Sequence, residues 1–187
     1  MKKRLYIFDC FGVVVTDVSA DWMDRHCTQE QKDYNLKNIF RKVDTAAITH
    51  DQMYSLLAEY VGVTKQSVID EWEDMLRVKY DTLALIEKLR KQGHVIALLS
   101  NASVEYIDYL FTKFDLYKYF DKIFVSARYG YAKPDRELYQ ICLDGFTENF
   151  EKIYFTDDNL VNLQNLDEFG ITAVHFTSAA QFEKEAI

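Results

Sequence analysis

The sequence is poor in several residue types and patterns that mark particular classes of protein. One proline and six glycines occur among 187 residues, and no stretch is typical of a flexible linker, a low-complexity segment or an internal repeat. The three cysteines are scattered and odd in number, which indicates neither a disulfide framework nor a metal site built from cysteine pairs. No apolar run approaches the roughly 20 residues needed to cross a bilayer, so we expect no membrane partner.

The sequence also lacks an excess of basic residues. Its formal net charge is −8, and it has no basic stripe that would neutralise nucleic-acid phosphates, so we expect no nucleic-acid partner. A small phosphorylated molecule needs only local cations and remains compatible with this charge. The first residues, MKKRLYIFD, contain an apolar stretch that is too short for a signal peptide and is interrupted by an acid. We therefore expect a cytoplasmic protein.

The composition that is present is globular, 49% hydrophobic and 28% charged, and the length suits one domain with a large insert. The most informative stretch is IFDCFGVVV, in which an apolar run that begins at Leu5 stops at Asp9. Gly12 then permits a turn. This pattern predicts a buried strand with an acid at its carboxyl end, where chemistry gathers in α/β sheets. Alone, it is equally typical of an acid that caps the next element.

The rest of the chain divides into a helical part and an alternating part. Between residues 19 and 80, apolar residues recur at helical spacing without a strand pattern, which predicts about four helices. From residue 81 onward, helices alternate with short apolar strands. Together with the first strand, the predicted strands cover residues 94–100, 122–127, 152–158 and 171–176.

Five strands separated by helices predict an α/β fold with a parallel five-stranded sheet, covered by helices on both faces. We expect residues 1–17 and 81–187 to form this core and residues 18–80 to form a small helical cap. Ser19, Thr64 and Ser103 are expected to cap helices. Pro134 is expected to open a helix, and a further helix is expected to run from Leu160 to Gly170.

Polar residues collect at the predicted strand ends, which meet on one rim of a parallel sheet. They comprise carboxylates, a hydroxyl, an amide and a lysine: Asp9, Ser100, Asn101, Lys133, Asp157 and Asp158. Three carboxylates that converge would repel one another unless a cation lay between them, and hard oxygen ligands suit Mg²⁺. Lysine and serine can hold a phosphate whose remaining charge the metal neutralises. The simpler interpretation of each residue alone is a helix cap or a solvated charge.

Four stretches in this order, FDCFGVVVTD, LLSNAS, YAKPDRELY and YFTDDNLVN, resemble the motifs of the haloacid dehalogenase superfamily of hydrolases. The resemblance implies a Rossmann-like sheet of strand order 5-4-1-2-3 with a helical cap inserted after the first motif. Phosphatases of this superfamily use an aspartate nucleophile and Mg²⁺. By resemblance, Asp9 is the nucleophile and Lys133 steadies both it and the phosphate. Asp157 and Asp158 match the acidic pair that meets the metal directly or through water.

The resemblance also implies roles for residues that bind the phosphate and the metal. Ser100 matches the hydroxyl that binds the phosphoryl group, with Asn101 next to it. Phe11 is the departure from the pattern, because phosphatases of the family usually have there a second aspartate that protonates the leaving oxygen. The Phe11 carbonyl can still face the metal, while the missing acid contributes about 10²–10⁴-fold in related chemistry. Asp17, close to the start of the cap, is expected to form a turn or a cap.

The leading hypothesis is therefore a Mg²⁺-dependent phosphatase of a small phosphorylated metabolite that forms an aspartyl-phosphate at Asp9, slowed by Phe11. One alternative is a catalytically impaired homologue that binds a phosphoryl ligand or a protein partner. A second alternative is a 2-haloacid dehalogenase, which the aromatic residue at Phe11 favours and the acidic pair disfavours.

Overall fold

A parallel sheet of five strands forms the centre of the protein. The computed structural model describes residues 2–187. The strands are β1 (Leu5–Phe8), β2 (Val95–Ser100), β3 (Lys122–Val125), β4 (Ile153–Asp157) and β5 (Ile171–His175). They lie in the order β3-β2-β1-β4-β5, which confirms the predicted α/β class and strand order. Every residue of β1 and β2 is buried, because helices cover both faces, and this explains their uninterrupted apolar sequences.

The register of the sheet sets the level of the polar residues at its rim. Phe8, the last residue of β1, pairs with Leu98 of β2 and Thr156 of β4. Asp9, the next residue, donates its backbone N–H to the Thr156 carbonyl at 3.0 Å and is thus level with Asp157. The carboxyl ends of the two strands therefore deliver their acids side by side.

Helices pack on both faces of the sheet and also form the long segment between β1 and β2. The helices are α1 (Val18–His26), α2 (Gln29–Asn35), α3 (Arg41–Asp44), α4 (His50–Val61), α5 (Lys65–Met75), α6 (Tyr80–Lys91), α7 (Val104–Lys113), α8 (Arg136–Asp144) and α9 (Ala179–Ala186). A π-helical turn, Leu36–Phe40, joins α2 to α3. No helix within residues 2–187 is both long and apolar enough to span a membrane.

Side-chain alternation along β1 divides the core into two clusters, since successive residues of a strand point to opposite faces. Tyr6 and Phe8 belong to the larger cluster, which continues without a break into the helices that follow β1. Leu5 and Ile7 belong to the smaller one, beside α8. We propose to regard residues 18–80 as a cap, and the name is used for them below. The cap joins the core through the pairing of Val15 with Val78.

Three local predictions are wrong, each for a physical reason. The expected helix over 160–169 is two 3₁₀ turns, Leu160–Leu163 and Leu166–Phe169, because Asn165 between them has a left-handed backbone, φ 57°. Pro134 precedes rather than opens α8, which begins after Asp135. Asp135 accepts a hydrogen bond from the Ala132 N–H, which folds this stretch into a turn.

The third wrong prediction concerns the first cap helix. Its N-cap is Asp17, not Ser19, because the Asp17 carboxylate accepts hydrogen bonds from the Ala20 N–H at 3.1 Å and from the Ser19 hydroxyl at 2.6 Å. Thr64 and Ser103 do cap α5 and α7, as predicted. The predicted strand over 122–127 ends earlier, since Ser126 begins a 3₁₀ turn.

Candidate active site

Lys133 lies between two carboxylates at the carboxyl edge of the sheet. Its Nζ is 2.7 Å from Asp9 Oδ1 and 2.6 Å from Asp157 Oδ2, and its side chain is 1% exposed. Burial alone would lower the lysine pKa, but the charges of Asp157 and Asp9 outweigh it and raise the pKa above its ordinary value. A buried ammonium is tolerated here because two anions and their hydrogen bonds replace its water.

Asp9 is buried beside a second carboxylate. Burial first, and then the charge of Asp157, raises the pKa of Asp9 well above its usual range, against the attraction of Lys133. Its Oδ1 also accepts the Cys10 N–H at 2.7 Å. Three carboxylate oxygens, one each from Asp9, Asp157 and Asp158, lie within 4.8 Å of one another. A cation among these oxygens would remove the repulsion, so the three acids fit a hard divalent ion such as Mg²⁺.

The acceptor capacity of Asp157 is already largely used. Its Oδ1 accepts the Asn159 N–H at 2.8 Å, and the Asn162 amide donates to both carboxylate oxygens at 3.1 and 3.0 Å. Lys133 donates to Oδ2. This saturation favours contact with a metal through water. Asn162 is a residue that our reading of the sequence missed, although it stands five places after Asp157 in the fourth motif.

Asp158 is half-buried and faces a cavity. Burial, the charge of Asp17 and that of Asp157 together raise the pKa of Asp158 to about 6. Gly12 gives this carboxylate its space, because a Cβ on Gly12 would lie 2.0 Å from Asp158 Oδ2. The sequence indicated Gly12 as a turn residue, and the structure adds this close approach as a second requirement.

The two polar residues at the carboxyl end of β2, Ser100 within the strand and Asn101 after it, have different surroundings. Ser100 is fully buried, and its hydroxyl has no hydrogen-bond partner within residues 2–187. Asn101 holds the loop of residues 129–135, called the lysine loop below, since its Nδ2 donates to the Lys133 carbonyl at 2.9 Å and its Oδ1 accepts the Lys133 N–H at 2.7 Å. Both ends of the Asn101 amide are therefore occupied. An unpaired buried hydroxyl costs free energy, which a ligand oxygen would offset.

Two adjoining cavities open beside these groups. The polar one, about 170 Å³, is lined by Asp9, Asp158 and Lys133 at the rim of the sheet, by Asp17 just before the cap and by Asp44 in the cap. The second, about 60 Å³, is mostly apolar. Apolar and aromatic side chains form most of its walls, and a few polar groups complete them: Phe11, Val18, Phe40, Val43, Met53, Trp72, Ala102 and Tyr106, with Ser19, Asp44, His50, Asn101 and Ser103.

Phe11 points its ring into the apolar cavity. The ring stacks on Tyr106, with centroids 6.0 Å apart and planes 9° from parallel. Phe11 lines both cavities. The side chain that replaces the family's usual acid thus extends an apolar surface up to the polar cavity.

Comparison with known proteins places the chain in a family of hydrolases. A family model described as haloacid dehalogenase-like hydrolase matches residues 3–170. The chain belongs to this family, which confirms the resemblance read from the four motifs.

Two curated relatives are of fungal origin. A sesquiterpene phosphatase of Aspergillus oryzae is 24% identical over 143 residues, which cover 75% of this chain and 73% of the relative. A drimenol cyclase of Aspergillus calidoustus is 26% identical over 153 residues, 79% of this chain. The match spans only 29% of the length of that cyclase.

The fold also matches solved structures. A HAD family enzyme from Bacteroides thetaiotaomicron, in complex with magnesium and inorganic phosphate, superposes with a TM-score of 0.71 over 93% of each chain. The two chains are 22% identical, and the likeness concerns the fold.

Proposed function

We propose that this hydrolase is a Mg²⁺-dependent phosphatase of small phosphate esters. The observation that carries the proposal is the buried cluster in which Lys133 joins Asp9 to Asp157 while Asp158 brings a third carboxylate within 4.8 Å. Asp9, Asp158 and the Phe11 carbonyl would hold the metal, with Asp157 in contact through water. The metal, when bound, supplies Lewis-acid stabilisation of phosphoryl oxygens.

Within this proposal, Asp9 attacks phosphorus and forms an aspartyl-phosphate, which water then hydrolyses. Lys133 holds the Asp9 carboxylate in place and neutralises charge on the phosphoryl group. The Ser100 hydroxyl, which lacks a partner in the described part of the chain, donates to a phosphoryl oxygen. Asn101 acts indirectly by holding the backbone of Lys133.

The apolar cavity supports esters whose alcohol part is hydrophobic. Phe11 connects that cavity to the polar one, so a phosphate beside Asp9 would direct its carbon substituent along the Phe11 ring. The name of the sesquiterpene phosphatase relative agrees with such a substituent. At about 60 Å³ the cavity holds only a small group unless the cap moves.

Phe11 also favours a second candidate, a homologue that binds phosphoryl groups but turns them over poorly. A 2-haloacid dehalogenase is less well supported. Such an enzyme forms an ester on its aspartate without a metal, so Asp158 would have no role in the reaction. Turnover assays separate the three.

The test is hydrolysis of p-nitrophenyl, hexose and short prenyl phosphates by the purified full chain, with Mg²⁺ or with EDTA, beside 2-chloropropionate. We expect phosphate release that requires Mg²⁺ and is abolished by Asp9→Asn, with the variant still folded, since an amide cannot form the acyl-phosphate. Phosphate binding without turnover would favour the impaired homologue. Chloride release without metal would favour the dehalogenase.

A further inference from the structure

The replacement of the family's usual acid by Phe11 leaves the departing oxygen of an ester without a proton donor in the first motif. An alkoxide is a poor leaving group, and a positioned acid contributes about 10²–10⁴-fold to its departure. The carboxylates that line the polar cavity are Asp9, Asp17, Asp44 and Asp158 in the described part of the chain. Asp9 is the proposed nucleophile and Asp158 a proposed metal ligand, which leaves Asp17 and Asp44.

Asp17 is committed to another task. Its Oδ1 accepts the Ser19 hydroxyl at 2.6 Å and the Ala20 N–H at 3.1 Å as the N-cap of α1. Both contacts tie the Asp17 Oδ1 atom to the first turn of α1, so this oxygen is not free to contact the departing oxygen of an ester.

Asp44 stands where the two cavities meet. It is the last residue of α3 and lines both the polar and the apolar cavity. Among the described residues shared by both walls, which are Phe11, Ser19, Phe40, Asp44 and Asn101, it is the one carboxylate. An ester with its phosphate at Asp9 and its carbon part in the apolar cavity places its bridging oxygen at this junction.

The helix that carries Asp44 is fixed to the lysine loop. Arg41, one turn earlier in α3, donates to the Ala132 carbonyl at 3.1 Å and forms an ion pair with Asp135. Ala132 is the residue before Lys133. These two contacts thus join the helix that carries Asp44 to the loop that carries Lys133.

The surroundings of Asp44 keep its proton available near neutral pH. No group within residues 2–187 donates a hydrogen bond to its carboxylate. Burial raises the pKa of Asp44 to about 7, although the charges of Lys133 and Arg41 act in the opposite direction. The other charged or titratable groups that face it from the cavity walls are Asp17, Asp9, Asp158, His50 and Tyr106. A general acid is most effective when it titrates near the working pH.

We propose that Asp44 is the general acid of this hydrolase, in place of the absent aspartate at position 11. The inference rests on the proposed phosphatase function. As the bond between Asp9 and phosphorus forms, the bond from phosphorus to the bridging oxygen breaks, and that oxygen takes the Asp44 proton and leaves as an alcohol. Water then attacks phosphorus and gives its proton to Asp44 as the Asp9 carboxylate departs. Each cycle restores both carboxyl groups.

The test compares two substrates of similar size, p-nitrophenyl phosphate and cyclohexyl phosphate, which release oxygens of very different basicity. Asp44→Asn should lower kcat/KM for the cyclohexyl ester by about 10²–10⁴-fold and leave the p-nitrophenyl ester nearly unchanged. Asp33→Asn, which removes an exposed carboxylate from α2 of the same cap, should change neither rate. Equal losses on both esters, or none on the cyclohexyl ester, would overturn the role of Asp44.

A second measurement needs no variant and covers the case in which Asp44→Asn fails to fold. In the native protein, kcat/KM for the cyclohexyl ester should fall as the pH rises through about 7, because the acid loses its proton, while the p-nitrophenyl ester shows no such limb. Identical profiles for the two esters would refute the proposal. If the native protein releases no phosphate from either ester, the proposed phosphatase function itself has failed, which is a different outcome.

Discussion

Gly12 lies where the turn after β1 passes the Asp158 carboxylate. Its backbone is left-handed, φ 75°, and an added Cβ would collide with Asp158 Oδ2. Gly93 has a similar backbone, φ 85°, with nothing within 4 Å of an added Cβ. Alanine substitutions at the two glycines therefore distinguish the cost of backbone strain, which both would have, from the loss of space for the Asp158 carboxylate, which only Gly12→Ala would cause.

We expect Gly93→Ala to lower the free energy of unfolding by about 1–2 kcal/mol, the usual cost of a left-handed alanine, and to leave the magnesium dependence of activity unchanged. Gly12→Ala should cost more than this and should raise the Mg²⁺ concentration for half-maximal activity, because Asp158 must move. Urea unfolding and a magnesium titration measure the two effects. A Gly12→Ala protein with native magnesium dependence would contradict the importance of this contact.

His50, the first residue of α4, should make the stability of the protein depend on pH. Its ring stacks on Tyr106 at 4.2 Å and meets Tyr54 edge-on at 4.7 Å, and neither ring nitrogen has a partner in the described residues 2–187. Burial lowers the pKa of His50 to about 4. Between pH 4 and the ordinary value of 6.5, the unfolded chain therefore binds more protons at this position than the folded one.

Because the unfolded state gains these protons, stability should be full above about pH 6.5 and should fall as the pH is lowered toward 4, by up to about 3 kcal/mol from this group. His50→Phe keeps an aromatic ring and removes the titration. The difference in unfolding free energy between the native protein and this variant, measured by urea denaturation from pH 4 to 7.5, should change over that interval. Parallel curves would show that His50 does not titrate on unfolding.

The elements differ in how far their sequences predict them. β1 and β2 are predictable because their apolar runs have no interruption, and the acid or hydroxyl at each end marks the rim of the sheet. The segment after β4 is not, since Leu160, Leu163 and Phe169 have helical spacing but Asn165 takes a left-handed backbone between two 3₁₀ turns. Spacing alone does not contain that choice.

The residues of the candidate site likewise differ in whether the local sequence predicts them. The motifs predict Asp9, Lys133 and Asp157, because each lies at or after the carboxyl end of a recognisable strand, and the structure places Lys133 in contact with both acids. The motifs do not predict Asp44, because the approach of α3 to the lysine loop depends on Arg41 meeting Ala132 across 91 residues. Cap residues acquire a role only through tertiary packing.

Arg41→Ala should loosen α3 from the lysine loop. The ion pair is partly exposed, so we expect the global free energy of unfolding to fall by at most about 1 kcal/mol. Turnover of alkyl phosphates should fall further than that of aryl phosphates, because Asp44 is no longer held at the bridging oxygen. Amide hydrogen exchange over residues 41–48 should accelerate.

Lys42→Ala is the matched control, since it removes an exposed neighbouring charge from the same helix. We expect it to alter neither exchange nor the ratio of alkyl to aryl turnover. If Arg41→Ala behaved like Lys42→Ala, α3 would be held by its apolar packing alone.

Core and cap share one continuous apolar cluster, which runs from Phe8 in the sheet to Trp22 and Trp72 in the cap. The charges at the candidate site, in contrast, are not balanced. Asp9, Asp157 and Asp158 bring three carboxylates against the ammonium of Lys133, in a protein whose formal net charge is already −8. The site thus lowers the stability of the metal-free protein by an amount that a bound cation would recover.

Mg²⁺ should therefore stabilise the folded protein as well as activate it. A ligand at 100 times its dissociation constant adds about 2.7 kcal/mol, or roughly 5–10 °C in Tm for a chain of this length. Asp158→Asn should raise Tm in EDTA, because it removes a repelled charge, and should abolish most of the magnesium-dependent increase. Asp33→Asn on the cap surface should keep the native increase. Thermal unfolding of the three proteins in EDTA and in Mg²⁺ gives the comparison. An equal rise in the native and Asp158→Asn proteins would place the ion elsewhere, and no rise in either would remove the case for a metal at this cluster.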